Sequence, residues 1–435
     1  MSFLKESAGV LSARVISICL TIATGIITTR YLGPTGKGML VLISNIPALI
    51  VAFGNLGIGN ANLYFLGQKK HPIEKIVSNS ATVSIFLGLF LYLLGIIFFT
   101  VFKESLFQDI PFFYAYICFS TIPFLLFQKY SQYTFLGKDL IAVRNKLYVF
   151  PRIVKLFMVI VFIVILGYRV LGVLILDVIT YGIGLLFTYY LLRRITSIRL
   201  SYDNRLVIES IKFGIVPFMA LLVINLNFKA DIYMVKYYLD SKQVGLYSLG
   251  VSVAEMLWLV PEAISLVLFA KVSNIDKGRD KYFASKVCRF ALNVSTAGTV
   301  ILFIIADWLI PLLYGKDFVP SVMPLKILLP GIVMMNLYLI LHADLTARGK
   351  AMVTLKVFLL ALVINILMNI KMIPAYGING AALASAISYS LGALLLAYVY
   401  SKITGTTFVS LFIMKKDDYT EYIYPKIKTL FSNNK

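Results

Sequence analysis

Two charged residues lie in an otherwise apolar helical segment, NLNFKADIYMVKYYLDSKQVGLYSLG, and their types define the chemistry open to them. Lys229 can bind an anion such as a phosphate, and Asp231 can bind a proton or a cation. At about 100° per residue, Lys229 shares a helical stripe with Asn225 and Lys236. Asp231 and Asn227 lie nearly opposite, so Lys229 and Asp231 cannot pair with each other in a regular helix. We expect Lys229 to face a polar cavity, with Asp231 as the alternative.

The next apolar segment carries two carboxylates and an indole on one stripe. Ser248, Glu255, Trp258 and Glu262 follow each other at i, i+7, i+10 and i+14, which is one face of a helix. The glutamates can bind a coupling cation, and the indole can stack on a ring. The same carboxylates could instead neutralise basic groups of other helices, and the sequence leaves both uses open.

Two arginines bracket the first apolar segment, and amides follow in the second. Arg14 and Arg30 are sixteen residues apart, which is about 24 Å along a helix. Each can grip a phosphate through its planar guanidinium or anchor the helix at the lipid headgroups. Asn45, Asn55 and Asn62, spaced by ten and seven, predict one helical face. Its amides can bind hydroxyl groups or hydrogen-bond to neighbouring helices.

Weaker candidates lie near the ends of apolar segments. We interpret Lys129, with Gln128 and Gln132, as an interfacial residue. Three carboxylates near the predicted membrane boundaries are minor candidates for a functional role: Asp177, Asp307 and Asp344.

The sequence does not predict a metal site, because the two histidines, His71 and His342, are too far apart in sequence to indicate one. The three cysteines fit packing positions, and no cofactor is predicted.

The composition places these residues in a membrane protein. Hydrophobic residues make up 60% of the 435 residues, charged residues only 14%, and the mean hydropathy is +0.87. A soluble domain usually carries about 25% charged residues. Apolar runs long enough to cross about 30 Å of hydrocarbon predict an all-α protein with twelve transmembrane helices. The predicted spans are 9–29, 39–65, 76–101, 111–135, 153–168, 171–192, 213–235, 244–269, 288–309, 321–342, 351–370 and 377–400.

The distribution of basic residues sets the predicted orientation. Most lysines and arginines fall in connections on the same side of the membrane as the amino terminus, which the positive-inside rule assigns to the cytoplasm. An even number of spans then places both termini in the cytoplasm of a multi-pass protein of the cytoplasmic (inner) membrane. The net charge of +21 suits anionic lipid headgroups and gives no reason to expect a nucleic acid partner.

Internal repetition predicts two halves. RYLGPTGKGMLVL, which starts at Arg30, aligns without a gap with YYLDSKQVGLYSL, which starts at Tyr237. Parallel repeats are a known plan of membrane transporters, with the substrate path between the halves. We therefore predict a six-helix lobe at 1–200, a second at 201–400 and a basic cytoplasmic tail at 401–435.

Four stretches together resemble one family. They are TRYLGPTGKG, DIYMVKYYLDSKQVGLYSLGVSVAEMLWLVPEAIS, LIPLLYGKDFVPSVMPLKILLPG and NIKMIPAYGINGAALASAISYS. In this order they resemble the polysaccharide transporter family of the multidrug/oligosaccharidyl-lipid/polysaccharide flippase superfamily, above all its O-antigen and exopolysaccharide repeat-unit flippases. The resemblance covers essentially the whole chain. It also matches Arg30 to the arginine that precedes the glycine-rich turn in this family and in the related lipid II flippases.

The resemblance implies twelve helices in two six-helix lobes around a central cationic cavity. It implies a flippase, rather than an enzyme, that moves undecaprenyl-pyrophosphate-linked oligosaccharide from the cytoplasmic to the outer leaflet by alternating access. The substrate-binding candidates are then Arg14, Arg30, Lys229, Asn45, Asn55 and Trp258. The candidates for coupling to H⁺ or Na⁺ are Asp231, Glu255 and Glu262. A polysaccharide polymerase and chain-length machinery are candidate partners besides membrane lipids.

Two other functions compete with this one. A drug or cation exporter of the same superfamily would share the fold but is expected to have an acidic or apolar cavity, whereas Arg14, Arg30 and Lys229 favour an anion. A membrane-embedded polysaccharide polymerase or lipid-dependent glycosyltransferase would need a sizeable outer loop or a cluster of acid-base residues. The outer connections are short, and the sequence has no P-loop, Ser/His/Asp set or metal motif.

Overall fold

The computed structural model describes residues 2–138, 140–258 and 283–413, and every regular element in these ranges is a helix. In chain order the helices are α1 (Ser2–Gly54), α2 (Ile58–Gly67), α3 (Ile73–Val101), α4 (Lys103–Leu106), α5 (Phe112–Phe119), α6 (Ile122–Gly137), α7 (Ile141–Val159), α8 (Val170–Arg193), α9 (Asn204–Tyr238), α10 (Ser241–Glu255), α11 (Phe283–Tyr314), α12 (Val322–Ala347) and α13 (Ala351–Thr404). A π-helical stretch, Ile160–Ile165, continues α7, and short 3-10 helices cover Met256–Trp258, Lys316–Ser321 and Phe408–Leu411.

Eight helical stretches of the described chain are long and apolar enough to cross a membrane. They confirm an all-α integral membrane protein. Two of them, Val15–Gly54 and Ala351–Thr404, have 40 and 54 residues, and each is long enough to cross about 30 Å of hydrocarbon twice. A glycine with positive φ breaks each of them, Gly33 at 67° and Gly377 at 59°. The count of twelve spans and the cytoplasmic position of both termini stay predictions.

Two predicted span boundaries differ from the helices of the structure, each for a local reason. The predicted span 39–65 is interrupted between α1 and α2, where Gly57 has a φ of 77°. The predicted span 111–135 agrees with the candidate span Phe112–Gly137, which consists of α5 and α6; Pro123 stands at the start of α6, a position that proline tolerates well. Helix α7 begins at Ile141, earlier than predicted, because the polar residues of its first turns lower the hydropathy without ending the helix.

The chain divides into two compact units. The first comprises Met1–Ser248 and Leu309–Pro320, and the second comprises Leu249–Trp308 and Ser321–Lys435. The predicted lobes at 1–200 and 201–400, like the tail at 401–435, stay predictions. From residue 414 onward the tail lies outside the described residues.

Within the first unit, α1 and α10 meet at glycines. A Cβ atom placed on Gly38 would lie 1.7 Å from the carbonyl oxygen of Ser241, and one on Gly245 would lie 1.8 Å from that of Pro34. No larger residue fits at either position without a shift, because both obstacles are backbone atoms. The two segments that align in the sequence repeat therefore pack directly against each other, glycine beside glycine.

Polar contacts attach the start of α9 to α3. The side chain of Asn79 accepts the backbone N–H of Asp203 at 3.0 Å. Asp203 caps α9 by accepting the N–H of Leu206 at 2.8 Å, and it pairs with Lys75 at 2.6 Å. The Lys75 ammonium, together with this cap, holds the pKa of Asp203 below its usual value. The connection between α8 and α9 is thus fixed by hydrogen bonds to the preceding helices.

In the second unit, α12 and α13 pack closely. A Cβ atom on Gly331 of α12 would lie 2.5 Å from the Cα atom of Ala386 in α13. The two halves of α13 are also joined, because Asn365 donates to the hydroxyl group of Ser385 at 3.2 Å. Small residues and buried amides of this kind let membrane helices approach each other and hydrogen-bond.

Candidate functional site

Three lysines from three helices of the first unit form a cationic cluster: Lys37 of α1, Lys155 of α7 and Lys229 of α9. The positive charges of Lys229 and Lys155 both act on the ammonium group of Lys37. Each of the three lysine residues is partly exposed, and Lys229 has no ion-pair partner among the described residues. Because like charges repel, an anion bound among them would be stabilised by all three. The cationic cluster is therefore suited to bind a multiply charged anion.

One carboxylate offsets part of this charge. Asp177 of α8 forms an ion pair with Lys155, and the two side chains are 15% and 30% exposed. Arg152, one helical turn before Lys155, adds a further cation beside the pair. The Nε atom of Arg152 donates to the hydroxyl group of Thr21 at 3.1 Å. The cations in this part of the first unit thus exceed the carboxylate, and its net charge is positive.

A cavity of about 380 Å³ lies next to this ion pair, and all the residues that line it belong to the first unit. Its polar wall consists mainly of Gln128, Lys129, Gln132, Asp177 and Tyr181. The Nε2 atom of Gln128 donates to the backbone carbonyl of Tyr181 at 3.0 Å, which ties α6 to α8. Lys129 of α6 therefore lines a cavity, and its interpretation as an interfacial residue stays a prediction.

The two stripes of α9 differ in burial. Asp231 is 2% exposed, and its carboxylate accepts hydrogen bonds from the N–H of Ile232 at 2.9 Å and from the hydroxyl group of Tyr247. Asn227, on the same stripe, is fully buried. Lys229 is partly exposed, and the described ranges offer it no ion-pair partner. Asp231 joins α9 to α10, and the coupling role of Asp231 and the binding role of Lys229 stay predictions.

The two arginine candidates both lie on α1. The side chain of Arg14 falls outside the described residues. The side chain of Arg30 is exposed, and it donates to the backbone carbonyl of Leu312 in α11 at 3.2 Å. A guanidinium has five N–H donors, so this bond leaves most of them available. Substrate binding by either arginine stays a prediction.

The expectation that three asparagines share one helical face is wrong, because the chain breaks between α1 and α2. The Nδ2 atom of Asn45 is buried and has no hydrogen-bond partner among the described residues. Asn55 accepts the N–H of Gly59 at 3.3 Å, and Asn62 donates to the hydroxyl group of Ser80 at 2.9 Å. Asn45 thus has a donor available, whereas Asn55 stabilises the start of α2, and a ligand role for either stays a prediction.

The predicted stripe on α10 is only partly described. Helix α10 ends at Glu255, which is partly exposed, and Glu262 lies outside the described residues. The 3-10 turn that follows α10 rotates Trp258 by about 60° away from the expected stripe. The indole of Trp258 donates to the carbonyl of Ile332 at 3.4 Å and lies 6.3 Å from the ring of Tyr389. Roles of these residues in stacking or coupling stay predictions.

The two other carboxylates that the sequence suggests as minor candidates, Asp307 and Asp344, have partners within the second unit. Asp307 forms an ion pair with Lys326. Asp344 is fully buried and accepts from Arg348 at 2.6 Å and from the hydroxyl group of Tyr400 at 2.9 Å. Over the described residues, no three His, Cys, Asp or Glu side chains converge as metal ligands.

Sequence reasoning missed Lys37, Arg152 and Lys155 as site residues. Lys37 belongs to a motif that the sequence predicts as a connection, whereas in the structure the break is confined to Gly33 and Lys37 lies in the helix that follows it. Arg152 and Lys155 lie three residues apart, which places them on one face of α7. That spacing could have revealed them if the polar start of α7 had been predicted as helix.

The fold is that of a known class of membrane transporters. It is similar to an inward-facing multidrug resistance MATE family transporter of the MOP superfamily, with a TM-score of 0.74, 16% identity and coverage of 89% of this chain and 94% of that one. It is also similar to the lipid II flippase MurJ in an inward closed conformation, with a TM-score of 0.72, 16% identity and coverage of 94% and 91%. At this identity the two likenesses establish the fold.

Residues 27–323 match the family described as "Polysaccharide biosynthesis protein", and the chain belongs to that family. This confirms the resemblance found in the sequence and a multi-pass protein of the cell membrane. A relative from Haloferax volcanii, named "Probable low-salt glycan biosynthesis flippase Agl15", is 21% identical over 182 residues. The match covers 41% of this chain and 39% of the relative, so the chain spans about two fifths of the length of that relative.

Proposed function

We propose that this protein is a flippase for lipid-linked oligosaccharide, which it moves from the cytoplasmic to the outer leaflet by alternating access. Its substrate is an oligosaccharide attached to undecaprenyl pyrophosphate, and its biological role is surface polysaccharide biosynthesis. The family, the flippase name of a relative and the likeness to a lipid II flippase support this proposal. The cationic cluster is the observation that carries it.

The physical need for such a cluster follows from the substrate. Sugar hydroxyls and a pyrophosphate lose their hydration in hydrocarbon, and moving them there unaided costs many kcal/mol. A protein that supplies cations and hydrogen-bond donors at membrane depth lowers that barrier. In our proposal Lys37, Lys155 and Lys229 bind the pyrophosphate, because each residue is partly exposed and ammonium binds phosphate oxygens strongly.

The other candidates take supporting roles. Arg14 and Arg30 bind phosphate oxygens along the path, and the amides of Asn45 and Asn55 and the ring of Trp258 contact sugar. Movement between inward-open and outward-open states requires energy, and H⁺ or Na⁺ binding at a carboxylate supplies it. The candidates for that step are Asp231, Glu255 and Glu262. A polymerase and chain-length machinery receive the flipped product, and the lipid tail stays in the bilayer.

The cationic cluster also separates this function from its rivals. Three neighbouring ammonium groups would weaken the binding of a drug cation, because like charges repel strongly where the dielectric constant is low. An enzyme of polysaccharide synthesis would need a proton donor and acceptor beside a reacting bond. The cluster offers ammonium groups and one paired carboxylate, which bind and orient but do not make such a pair.

Complementation of a flippase-null strain tests the proposal in cells. The wild type and the variants Lys37→Gln, Lys229→Gln and Lys229→Arg are expressed at matched levels, and the leaflet that holds the labelled lipid-linked oligosaccharide is determined. We expect the wild type and Lys229→Arg to clear the cytoplasmic leaflet, and the two glutamine variants to leave the substrate there. Lys212→Gln, which removes an exposed lysine of the same helix, is the matched control.

Two results would overturn the proposal. One is full clearance by Lys37→Gln and Lys229→Gln, because the cationic cluster would then be dispensable. The other is a wild type that leaves the lipid-linked pool unchanged over a panel of repeat units but lowers the cellular content of a cationic dye. That result would favour the drug exporter.

A further inference from the structure

We propose that the cavity lined by α6 and α8 binds an acidic sugar of the transported oligosaccharide, and that Lys129 recognises the sugar carboxylate. This inference rests on the proposed function, and it names the class of sugar that the protein accepts. Small-molecule sites usually enclose about 300–1,000 Å³. A cavity of about 380 Å³ therefore holds a short part of an oligosaccharide.

The charge of the cavity wall points to a carboxylate. Lys129 is exposed into the cavity, and the described ranges contain no ion-pair partner for it. Asp177, the other charged residue of the wall, is already paired with Lys155. A ligand that enters the cavity thus meets one uncompensated ammonium group. A charged hydrogen bond from ammonium to carboxylate is about twice as strong as a neutral one.

The rest of the wall suits the neutral part of a sugar. Gln128 uses one N–H on the carbonyl of Tyr181, so its second N–H and its amide oxygen remain for sugar hydroxyls. The hydroxyl group of Thr121 donates to the backbone carbonyl of Cys118, so the hydroxyl oxygen can still accept a hydrogen bond. Apolar residues complete the lining, among them Pro47, Val51 and Leu125. They can pack against the C–H groups of a pyranose ring.

The position of the cavity fits the order of groups in the substrate. Asp177 belongs both to the cavity wall and to the ion pair with Lys155 of the cationic cluster. A pyrophosphate held by the cationic cluster would therefore have the attached sugars near the cavity wall that contains Asp177. Phosphate and sugar carboxylate would be bound by different lysines of the same unit.

The test uses the full chain in phosphatidylcholine nanodiscs and three probes: D-glucuronate, D-glucose and inorganic pyrophosphate. Binding is followed by ligand-observed NMR titration. We expect the wild type to bind glucuronate at least about tenfold more tightly than glucose, which is the usual gain from one charged hydrogen bond. Lys129→Gln should remove this preference, Lys129→Arg should keep it, and pyrophosphate binding should be unchanged in both. Lys138→Gln, which removes an exposed lysine just after α6, should behave like the wild type.

Three results would overturn the sugar site: no saturable glucuronate binding by the wild type, equal affinity for glucuronate and glucose, or a preference that survives Lys129→Gln. Loss of glucuronate binding on addition of phosphatidylglycerol would identify a lipid headgroup as the occupant and overturn it as well. Failure of the proposed function looks different. In that case pyrophosphate binding would be unaffected by Lys229→Gln, while glucuronate binding would still depend on Lys129.

Discussion

Lys155 of α7 and Asp177 of α8 form an ion pair that joins the cationic cluster to the neighbouring cavity. The pair fixes the Lys155 ammonium in position while both side chains keep some exposure to solvent. It also lowers the positive charge that the other lysines must tolerate. The same two residues therefore stabilise the packing of α7 on α8 and contribute to the proposed binding site. Suitable variants can separate the effect on stability from the effect on transport.

Removal of one partner of this pair should destabilise the protein. Asp177→Asn leaves the Lys155 charge without its partner, and we expect a loss of about 1–3 kcal/mol of unfolding free energy, less than for a fully buried pair because both groups are partly exposed. The double variant Lys155→Met/Asp177→Leu should regain most of this loss. It should still transport slowly, because a lysine of the cationic cluster is missing. Thermal unfolding in detergent and a flipping assay measure the two effects, and an unchanged stability of Asp177→Asn would contradict the account.

The glycine contact between α1 and α10 should not accept an added methyl group. A Cβ atom on Gly245 would lie 1.8 Å from a backbone carbonyl oxygen, so Gly245→Ala should cost at least about 1–3 kcal/mol of unfolding free energy. Gly25→Ala is the control, because a Cβ atom there has no neighbour within 4 Å and alanine favours the helix. The melting temperatures of the two variants test this prediction, and that of Gly245→Ala should be the lower. Equal melting temperatures would show that the contact is looser than described.

The ion pair between Asp109 and Lys236 should make the stability of the protein depend on pH. Asp109, between α4 and α5, accepts from Lys236 at 2.6 Å and from the hydroxyl group of Ser241 at 2.8 Å. The hydrogen bond from Lys236 is the main cause that lowers the pKa of Asp109 below 3.8, and that from Ser241 adds to it. A carboxyl with a lowered pKa stabilises the folded state above its unfolded pKa and loses this effect as the pH falls through its folded value.

The variant Asp109→Asn should therefore be less stable than the wild type at pH 7, by about 0.5–1 kcal/mol, since it leaves the buried Lys236 without its counter-charge while solvent screens the 43% exposed Asp109. The difference should stay constant down to about pH 5 and shrink below 3.8. Unfolding free energies at a series of pH values test this. Asp317→Asn, which changes an exposed carboxylate of the same unit, should show no comparable difference. A gap between wild type and Asp109→Asn that widens toward low pH would refute the assignment.

Two asparagines should respond differently to the same substitution. Asn55→Ala removes the acceptor for Gly59 at the start of α2 and should cost about 1–3 kcal/mol of stability, because it leaves a buried N–H without its partner. Asn45→Ala removes a buried donor that has no partner among the described residues, so its stability should change little. If Asn45 contacts sugar, that variant should instead transport more slowly. Paired measurements of melting temperature and flipping rate separate the two cases.

Much of the fold and part of the site could be predicted from the sequence. Hydropathy identifies an all-α membrane protein because every span needs a long apolar run. The opposite stripes of Lys229 and Asp231 follow from helical periodicity, and the structure buries Asp231 while it leaves Lys229 partly exposed. The same reasoning fails for Asn45 and Asn55, because a turn at Gly57 breaks the helix on which the periodicity depends.

The rest of the site depends on contacts between helices, which the sequence does not display. Lys155 and Asp177 are 22 residues apart, and only the packing of α7 on α8 brings them together. Lys37 joins them from a third helix. The sequence places Lys129 near the end of a predicted span and does not show a cavity there. Its position in a cavity depends on neighbours from several other helices.

A reconstituted flipping assay tests the central claim most directly. Proteoliposomes that contain the wild type, Lys229→Gln, Lys229→Arg or Lys212→Gln are loaded with a labelled pyrophosphate-linked oligosaccharide lipid, and the fraction that crosses the bilayer is followed with a membrane-impermeant quencher. We predict that the wild type, Lys229→Arg and Lys212→Gln flip the lipid. Lys229→Gln should be at least about tenfold slower, as expected for the loss of one charged hydrogen bond to phosphate. Equal rates for Lys229→Gln and Lys212→Gln would contradict a cationic cluster that binds the pyrophosphate.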